Sequence, residues 1–247
     1  MAIKTTFNYS PNFKPKKRRI KKIKFIIFHY TGMKKESEAI NKLTDIQSEV
    51  SCHYLIKNNG EIITMVPVSY TAWHAGKSSW KRCKSLNKNS IGIEITNPGH
   101  DFKYKKFTKK QIISLLKLSN ILIKKYKINS KNILGHSDIA PERKKDPGEK
   151  FPWKYLSQNR VGLWHTIKKQ ELIKNRTIKT TKIEKEFFFN NLFKIGYTKK
   201  IPKGLNKDSY LRNVTKAFQR RFRQEIVNDK IDQECLLISK NLLKKYS

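Results

Sequence analysis

Gly135-His136-Ser137-Asp138-Ile139-Ala140-Pro141-Glu142-Arg143-Lys144-Lys145-Asp146-Pro147-Gly148, closed by Phe151-Pro152-Trp153, is the stretch on which the reading of this chain turns. Pro141 and Pro147 each remove a backbone donor, so the segment is expected to be a loop rather than a regular helix or a central strand. It carries an imidazole and a carboxylate ten residues apart, His136 and Asp146, with Lys144 just before the carboxylate. Far upstream, Phe25-Ile26-Ile27-Phe28-His29-Tyr30-Thr31-Gly32 is an apolar run ending in a histidine. A buried strand that delivers a side chain at its end reads this way.

His29, His136 and Asp146 together offer two imidazoles and one carboxylate. Three such ligands with a fourth position left to water form the pattern of a catalytic zinc site, whereas a structural site is closed by four ligands, often cysteines. The chain has Cys52, Cys83 and Cys235 and no CxxC pair, which disfavours a structural cysteine site. A histidine at a strand end is also a common packed core residue, so from spacing alone a metal site and two core histidines both remain open.

Working outward, Lys24 to His29 is expected as the first strand, and Ser37 to Gln47 as a helix with Ala39, Ile40, Leu43 and Ile46 on one face. Residues 52–57 and 61–66 flank Asn58-Asn59-Gly60 as a hairpin. Residues 90–96 read as a short apolar strand interrupted by Glu94. Thr108 is a plausible N-cap for a long amphipathic helix to Tyr126, with Ile112, Leu115, Leu116, Leu118, Ser119 and Leu122 toward the core. A last strand, 133–136, enters the Pro-punctuated loop. Strands alternating with helices predict an α/β class: a mixed central β-sheet flanked by helices over residues 21–167, after an irregular basic tail at 1–20. Residues 168–182 read as a linker with some helical character. Residues 183–247 hold three amphipathic segments, 187–197 closed by Gly196, 208–223 and 233–243, expected as a small three-helix bundle domain.

Composition bounds the function. In 247 residues the formal charge is +36, and 37% of residues are hydrophobic, enough for a lean core helped by 13 Phe, 10 Tyr and 4 Trp. Such a charge draws polyanions: nucleic acid, acidic lipid or an anionic wall. A nucleic-acid binder gathers its charge on one helix or stripe; here lysine is spread along the chain among many Ile and Asn, a bias that an AT-rich genome also produces. No aromatic–basic RNA motif or zinc-finger spacing is present, so no nucleic-acid partner is expected. Three widely spaced cysteines argue for free, mostly buried thiols rather than a disulfide framework. No run approaches the ~20 apolar residues of a membrane span. Residues 1–19 lack the apolar stretch of about 7–15 residues found in signal peptides. The expectation is therefore a cytoplasmic location by default.

Five segments occur in one order: HYTG (29–32), SCHYLIKNNGEI (51–62), AWHAGKSSW (72–80), LNKNSIGIEITN (86–97) and GHSDIAPERKKDPGEKFPW (135–153). Together they resemble the zinc-dependent N-acetylmuramoyl-L-alanine amidases of the AmpD/AmiD type, relatives of the peptidoglycan recognition proteins, over about residues 20–165. The resemblance implies one Zn²⁺ on His29, His136 and Asp146, with Glu94 moving protons and Lys144 stabilising the oxyanion. It implies a peptidoglycan or muropeptide substrate, cut between the lactyl group and L-alanine. His74 and Trp73 are expected to line the groove, with Asn97 a further substrate contact. His53 faces either groove or core. Arg143 and Lys145 are expected in solvent, and His100 and His165 as surface or packing residues. IGYTKK (195–200), AFQRRFR (217–223) and IDQE (231–234) resemble the peptidoglycan-binding helical module of wall hydrolases, which implies access to the periplasm or cell wall. Taken alone, AFQRRFR is an ordinary amphipathic helix with a basic face. A non-catalytic peptidoglycan recognition protein is the alternative; such relatives typically lack a zinc ligand, and this chain keeps all three.

Overall fold

The computed structural model describes residues 4–246; residues 1–3 of the expected tail and residue 247 of the expected C-terminal domain lie outside the described residues. The apolar runs of the sequence become two central strands, β3 (Phe25–Tyr30) and β9 (Ser90–Ile95), paired in parallel. Both are buried almost throughout, which is why they read as continuous hydrophobic runs rather than alternating ones. β10 (Ile133–Gly135) pairs in parallel with β3 on the other side. Beyond β9 lie β4 (Tyr54–Ile56) and β5 (Ile62–Thr64), the expected hairpin around Asn58-Asn59-Gly60.

Residues expected as an irregular tail instead contribute a two-residue strand, β1 (Thr6–Phe7), parallel to β5, and a second, β2 (Phe13–Lys14), antiparallel to β6 (Thr71–Ala72). Two residues are too few for a period-2 signal, so these pairings left no trace in the sequence pattern. The main sheet has the order β1-β5-β4-β9-β3-β10.

Side chains alternate across a strand, and the two faces of this sheet meet different layers. Ile26, Phe28, Ile91, Ile93 and Ile95 pack under α2 (Lys109–Tyr126), against Leu115, Leu118 and Leu122. Thr108 caps α2 in a reciprocal box: its hydroxyl accepts the Gln111 N–H, and the Gln111 side chain accepts the Thr108 N–H. Gln111 also donates to Thr96 O at 2.7 Å, which ties the first turn of α2 to the end of β9. The shorter helix α1 (Glu36–Thr44) ends three residues before the expected limit, at a 3₁₀ turn over Ile46–Ser48.

The opposite face, carrying Phe25, Ile27 and Leu134, packs against the C-terminal helices. Beyond a short antiparallel pair, β7 (Ser79–Trp80) and β8 (Cys83–Lys84), the metal-loop candidate opens with one helical turn, α3 (His136–Ile139). A wholly irregular loop was expected; Pro141 removes a donor only after that turn has closed. Helix α4 (Trp153–Gln158) follows the loop, and α5 (Lys169–Asn175) lies within the residues read as a linker. The three expected C-terminal helices are α6 (Lys182–Ile195), α7 (Lys207–Phe222) and α8 (Gln233–Tyr246). Their apolar faces share one core with the sheet, through Trp80, Ile139 and Tyr197. Cys52 and Cys235 are buried free thiols, and Cys83 is half-buried. No helix among the described residues is long and apolar enough to cross a membrane.

Candidate metal centre

Parallel pairing of β3 with β9 sets His29 directly opposite Glu94. Pairing of β3 with β10 brings Gly135 beside Phe28, so His136 emerges next to His29. The residues thus gather where β3, β9 and β10 end, at the carboxyl edge where open α/β sheets present their ligand sites. The Pro-rich loop then returns Asp146 to the same point, held by the Ser137 N–H donating to Asp146 O at 2.9 Å.

His29, His136 and Asp146 are all buried and converge as the chain's candidate metal ligands. His29 Nδ1 lies 3.0 Å from His136 Nδ1 and 3.0 Å from Asp146 Oδ2, and His136 Nδ1 lies 3.1 Å from Asp146 Oδ2. Ligands of a tetrahedral zinc ion with ~2.0–2.1 Å bonds sit about 3.3 Å apart, so the triangle is close to the size needed.

The hydrogen bonds behind the triangle fix which nitrogens carry lone pairs. The Ser90 hydroxyl donates to Leu86 O at 2.6 Å, so at 3.0 Å it accepts the Nε2–H of His74. His74 Nδ1 then accepts the Nε2–H of His29 at 3.0 Å, leaving the lone pair of His29 Nδ1 aimed at the centre. His136 Nε2–H donates to Ala75 O at 3.3 Å, which leaves its Nδ1 equally free. This outer shell fixes the tautomers that a metal requires. Gly92 permits it: a Cβ there would lie 2.4 Å from the His74 ring.

Electrostatics follow from burial. Burial, then the neighbouring His136, hold the His29 imidazole down to about 4. Burial and the surrounding imidazoles hold His74 well below the usual histidine value. Glu94 is different. Its Oε1 is 4.0 Å from His29 Nδ1, its Oε2 has no hydrogen-bond partner among the described residues, and its side chain is 15% exposed. Burial, reinforced by Asp146, pushes its carboxyl up to about 8.

A groove of about 500 Å³ opens over the cluster, lined by Trp73, His74, Glu94, Lys144 and Lys42 among others. Trp73 and His74, expected in the groove, and Lys144 all line it. Two other residues expected to touch substrate are buried and do not line this groove. His53 is fully buried, with Nδ1 accepting the Gly92 N–H at 3.0 Å, so of its two open readings the core is the one realised. Asn97 is 2% exposed and spends its amide on the backbone, donating to Lys105 O at 2.9 Å and accepting the Gly99 N–H at 3.1 Å; it pins a turn.

Arg143 is exposed, as expected, and in addition donates from Nη2 to Ala75 O and to Lys77 O, both at 2.6 Å, which clamps the loop to the segment after His74. Lys145 is exposed, as expected. His100 joins a rim relay: the Tyr30 hydroxyl is 2.8 Å from its Nδ1, and its Nε2 is 3.0 Å from Glu149. No sequence signal marked His100, because the contact spans two loops. His165 packs beside Trp164.

The sequence pattern of the N-acetylmuramoyl-L-alanine amidases (Amidase_2) matches residues 19–149. The N-acetylmuramoyl-L-alanine amidase AmiD of Escherichia coli (strain K12) is 36% identical over 237 residues, covering 91% of this chain and 84% of that protein. Among solved structures, E. coli AmiD in complex with the substrate anhydro-N-acetylmuramic acid-L-Ala-D-gamma-Glu-L-Lys superimposes with a TM-score of 0.78 at 34% identity, covering 91% of this chain and 90% of that one. AmpDh3 from Pseudomonas aeruginosa in complex with anhydromuramic pentapeptide gives 0.78 at 30% identity, with 94% of each chain covered.

Proposed function

The chain belongs to the N-acetylmuramoyl-L-alanine amidases of the AmpD/AmiD type and is a hydrolase; from that premise we propose that it is a zinc amidase that cuts the bond between the lactyl group of N-acetylmuramic acid and L-alanine of the stem peptide. The observation that carries the zinc reading is the triangle of His29 Nδ1, His136 Nδ1 and Asp146 Oδ2 with its tautomers set from behind. These three side chains, which lie under the groove, would hold Zn²⁺. Zinc bound there supplies Lewis acidity toward a water or the scissile carbonyl.

The remaining steps fall to this chain's own residues. Glu94 faces the same point from the neighbouring strand. In its ionised form it accepts the proton of the attacking water and returns it to the departing amine of L-alanine; burial, which pushes its carboxyl up to about 8, makes that ionised form a stronger base. Lys144, on the groove wall, sets a cation against the charge that develops on the carbonyl oxygen. Trp73 offers an apolar wall to the sugar or peptide, and Lys42 and Lys144 offer cations to the carboxylates of the stem peptide.

The 1,6-anhydro sugar is the favoured substrate form, supported by the anhydromuramic ligands named for AmiD and AmpDh3. The C-terminal helices, on their resemblance to peptidoglycan-binding modules, would hold the enzyme on wall polymer. The test is release of free stem peptide by wild type and Glu94→Gln, from soluble anhydro-muropeptides and from intact sacculi, with added zinc and with chelator. Zinc-dependent release that is lost in Glu94→Gln is expected. Release from sacculi as well places the enzyme's work at the wall, and release from soluble fragments alone assigns it to recycling. Metal-loaded wild type that releases nothing from either substrate sinks the proposal.

A further inference from the structure

Asp138 stands two residues beyond His136 and is 1% exposed. Its Oδ2 accepts the Gly135 N–H at 2.8 Å, which caps the turn α3 that carries His136. Its other partners come from the C-terminal helices. The Tyr197 hydroxyl donates to Asp138 Oδ1 at 2.8 Å, and Arg221 Nη1 donates to Asp138 Oδ2 at 2.5 Å.

Arg221 is itself 1% exposed. Its Nη2 donates to Ile133 O at 2.9 Å, on the strand that leads into His136, and its guanidinium lies 4.3 Å above the Trp153 ring, where the loop ends. One side chain of α7 therefore touches the entrance, the first turn and the exit of the loop that supplies His136 and Asp146. Gln224, three residues on, donates to Phe151 O at 2.6 Å. The approach is close elsewhere too: the Lys81 N–H donates to Gly196 O at 2.7 Å, and a Cβ at Gly196 would meet the Trp80 ring at 2.3 Å.

We propose that Arg221, with Tyr197, is a positioning residue for the metal centre: by holding Asp138 it fixes residues 133–138 and aims His136 Nδ1 at the metal. The C-terminal helices thereby complete the catalytic unit, whatever they bind on the wall. The physical ground is that a buried ion pair is a poor source of net stability, because both partners lose their water. What it does supply is direction: Arg221 fixes Asp138 with planar donors, and Asp138 in turn fixes a backbone N–H next to the ligand. Zinc bonds of ~2.0–2.1 Å tolerate little displacement of a ligand. The inference rests on the zinc reading above.

The test uses full-length protein and zinc affinity measured by competition with a fluorescent chelator, in wild type, Arg221→Met, Tyr197→Phe, Asp138→Asn and the Arg221→Met/Asp138→Asn double variant. The zinc Kd is expected to rise about 10-fold or more in Arg221→Met and about 3-fold or more in Tyr197→Phe, the scale of outer-shell partners. The double variant is expected to bind no more weakly than Arg221→Met, since both changes act through one contact. On a soluble muropeptide, kcat falls while KM stays. A merely structural role lowers the melting temperature and leaves zinc affinity at the wild-type value in every folded variant, and that result overturns the inference. Should Arg221→Met fail to fold, Tyr197→Phe decides, because it removes one hydroxyl from an otherwise unchanged ring. Wild type that binds no zinc overturns the metal-centre reading and this inference with it; tight binding by wild type and variants alike overturns this inference alone.

Discussion

The metal centre and the ion cluster among the C-terminal helices are both buried groups of charge, and they are built in opposite ways. In the C-terminal cluster every acid meets a guanidinium. Arg223, whose side chain is fully buried, pairs with Asp232 and lies 3.8 Å from Glu234. Glu234 also takes Arg176 through two bonds of 2.8 Å. At the metal centre the groups do not close on one another. His29, His136 and Asp146 turn lone pairs toward one point, and Glu94 adds a carboxylate oxygen without a partner. Buried polar groups are costly unless satisfied. A cluster that satisfies itself is architecture, and one that leaves its acceptors aimed at a common point is kept for something that enters from outside.

Glu94→Gln breaks the comparison most severely if it is wrong. Removing a proton carrier is expected to lower kcat by about 10²–10⁴-fold, measured by chromatographic release of stem peptide. The melting temperature should hold or rise, because a desolvated carboxyl has been deleted. Stability that falls along with activity would make Glu94 a structural residue like those of the C-terminal cluster.

Arg223→Met makes the converse test. It leaves Asp232 without its guanidinium and Glu234 with Arg176 alone, which is expected to cost about 3–5 kcal/mol in urea unfolding. Activity per folded molecule on a soluble substrate should stay near wild type. A loss of activity in the folded fraction would mean that this cluster also serves the site.

Ser90→Ala sharpens the distinction at a smaller scale. It removes the acceptor for His74 Nε2–H, three residues' contacts away from the metal position, and frees the tautomers of His74 and His29. Zinc affinity is expected to drop about 10-fold with little change in the stability of the metal-free protein. Unchanged affinity would show that His29 keeps its tautomer without the relay.

Spacing alone left His29, His136 and Asp146 open between a metal site and packed core residues; the ordered motifs and the family they resemble singled them out together with Glu94, and each sits in a short local motif: His29 after an apolar run, Glu94 inside another, His136 and Asp146 in one Pro-punctuated loop. The α/β class and the capped helix α2 were legible for the same reason, since period and capping are local. The contacts that make the site work are not local. His74 was read as groove wall, yet it also orients His29 across 45 residues. His53 and Asn97 carried the right residue types for substrate contact, but strand register buried one and a turn consumed the other. Arg221 did leave a signal. Val214, Ala217, Phe218 and Arg221 fall at helical spacing on one face, so the arginine lies on the apolar side of α7. A charge there needs a buried partner; the sequence does not say that the partner is Asp138, 83 residues earlier.

Acid is the mildest probe, and it acts on one region alone: all six histidines lie at or before His165, and none is among the C-terminal helices. Burial holds His29 and His165 down to about 4, and holds His53 and His74 well below the ordinary value. Between about pH 6.5 and 4 the unfolded chain therefore binds protons that the folded state refuses, so the stability of the metal-free protein falls as pH drops through that window. Each such histidine adds at most about 1.4 kcal/mol per pH unit. Glu94 pulls the other way. With its carboxyl raised to about 8, the folded state keeps a proton that the unfolded state has already released above its ordinary value of 4.5, so its contribution to stability falls as pH rises. Several histidines against one glutamate leave a net loss toward acid, and Glu94→Gln, by deleting the opposing group, should steepen it. Urea unfolding at pH 7, 6 and 5 in the presence of chelator measures both slopes. A flat wild-type profile, or a shallower one in Glu94→Gln, would mean that the histidines are not held neutral by burial and that the metal centre is less closed to water than its geometry requires.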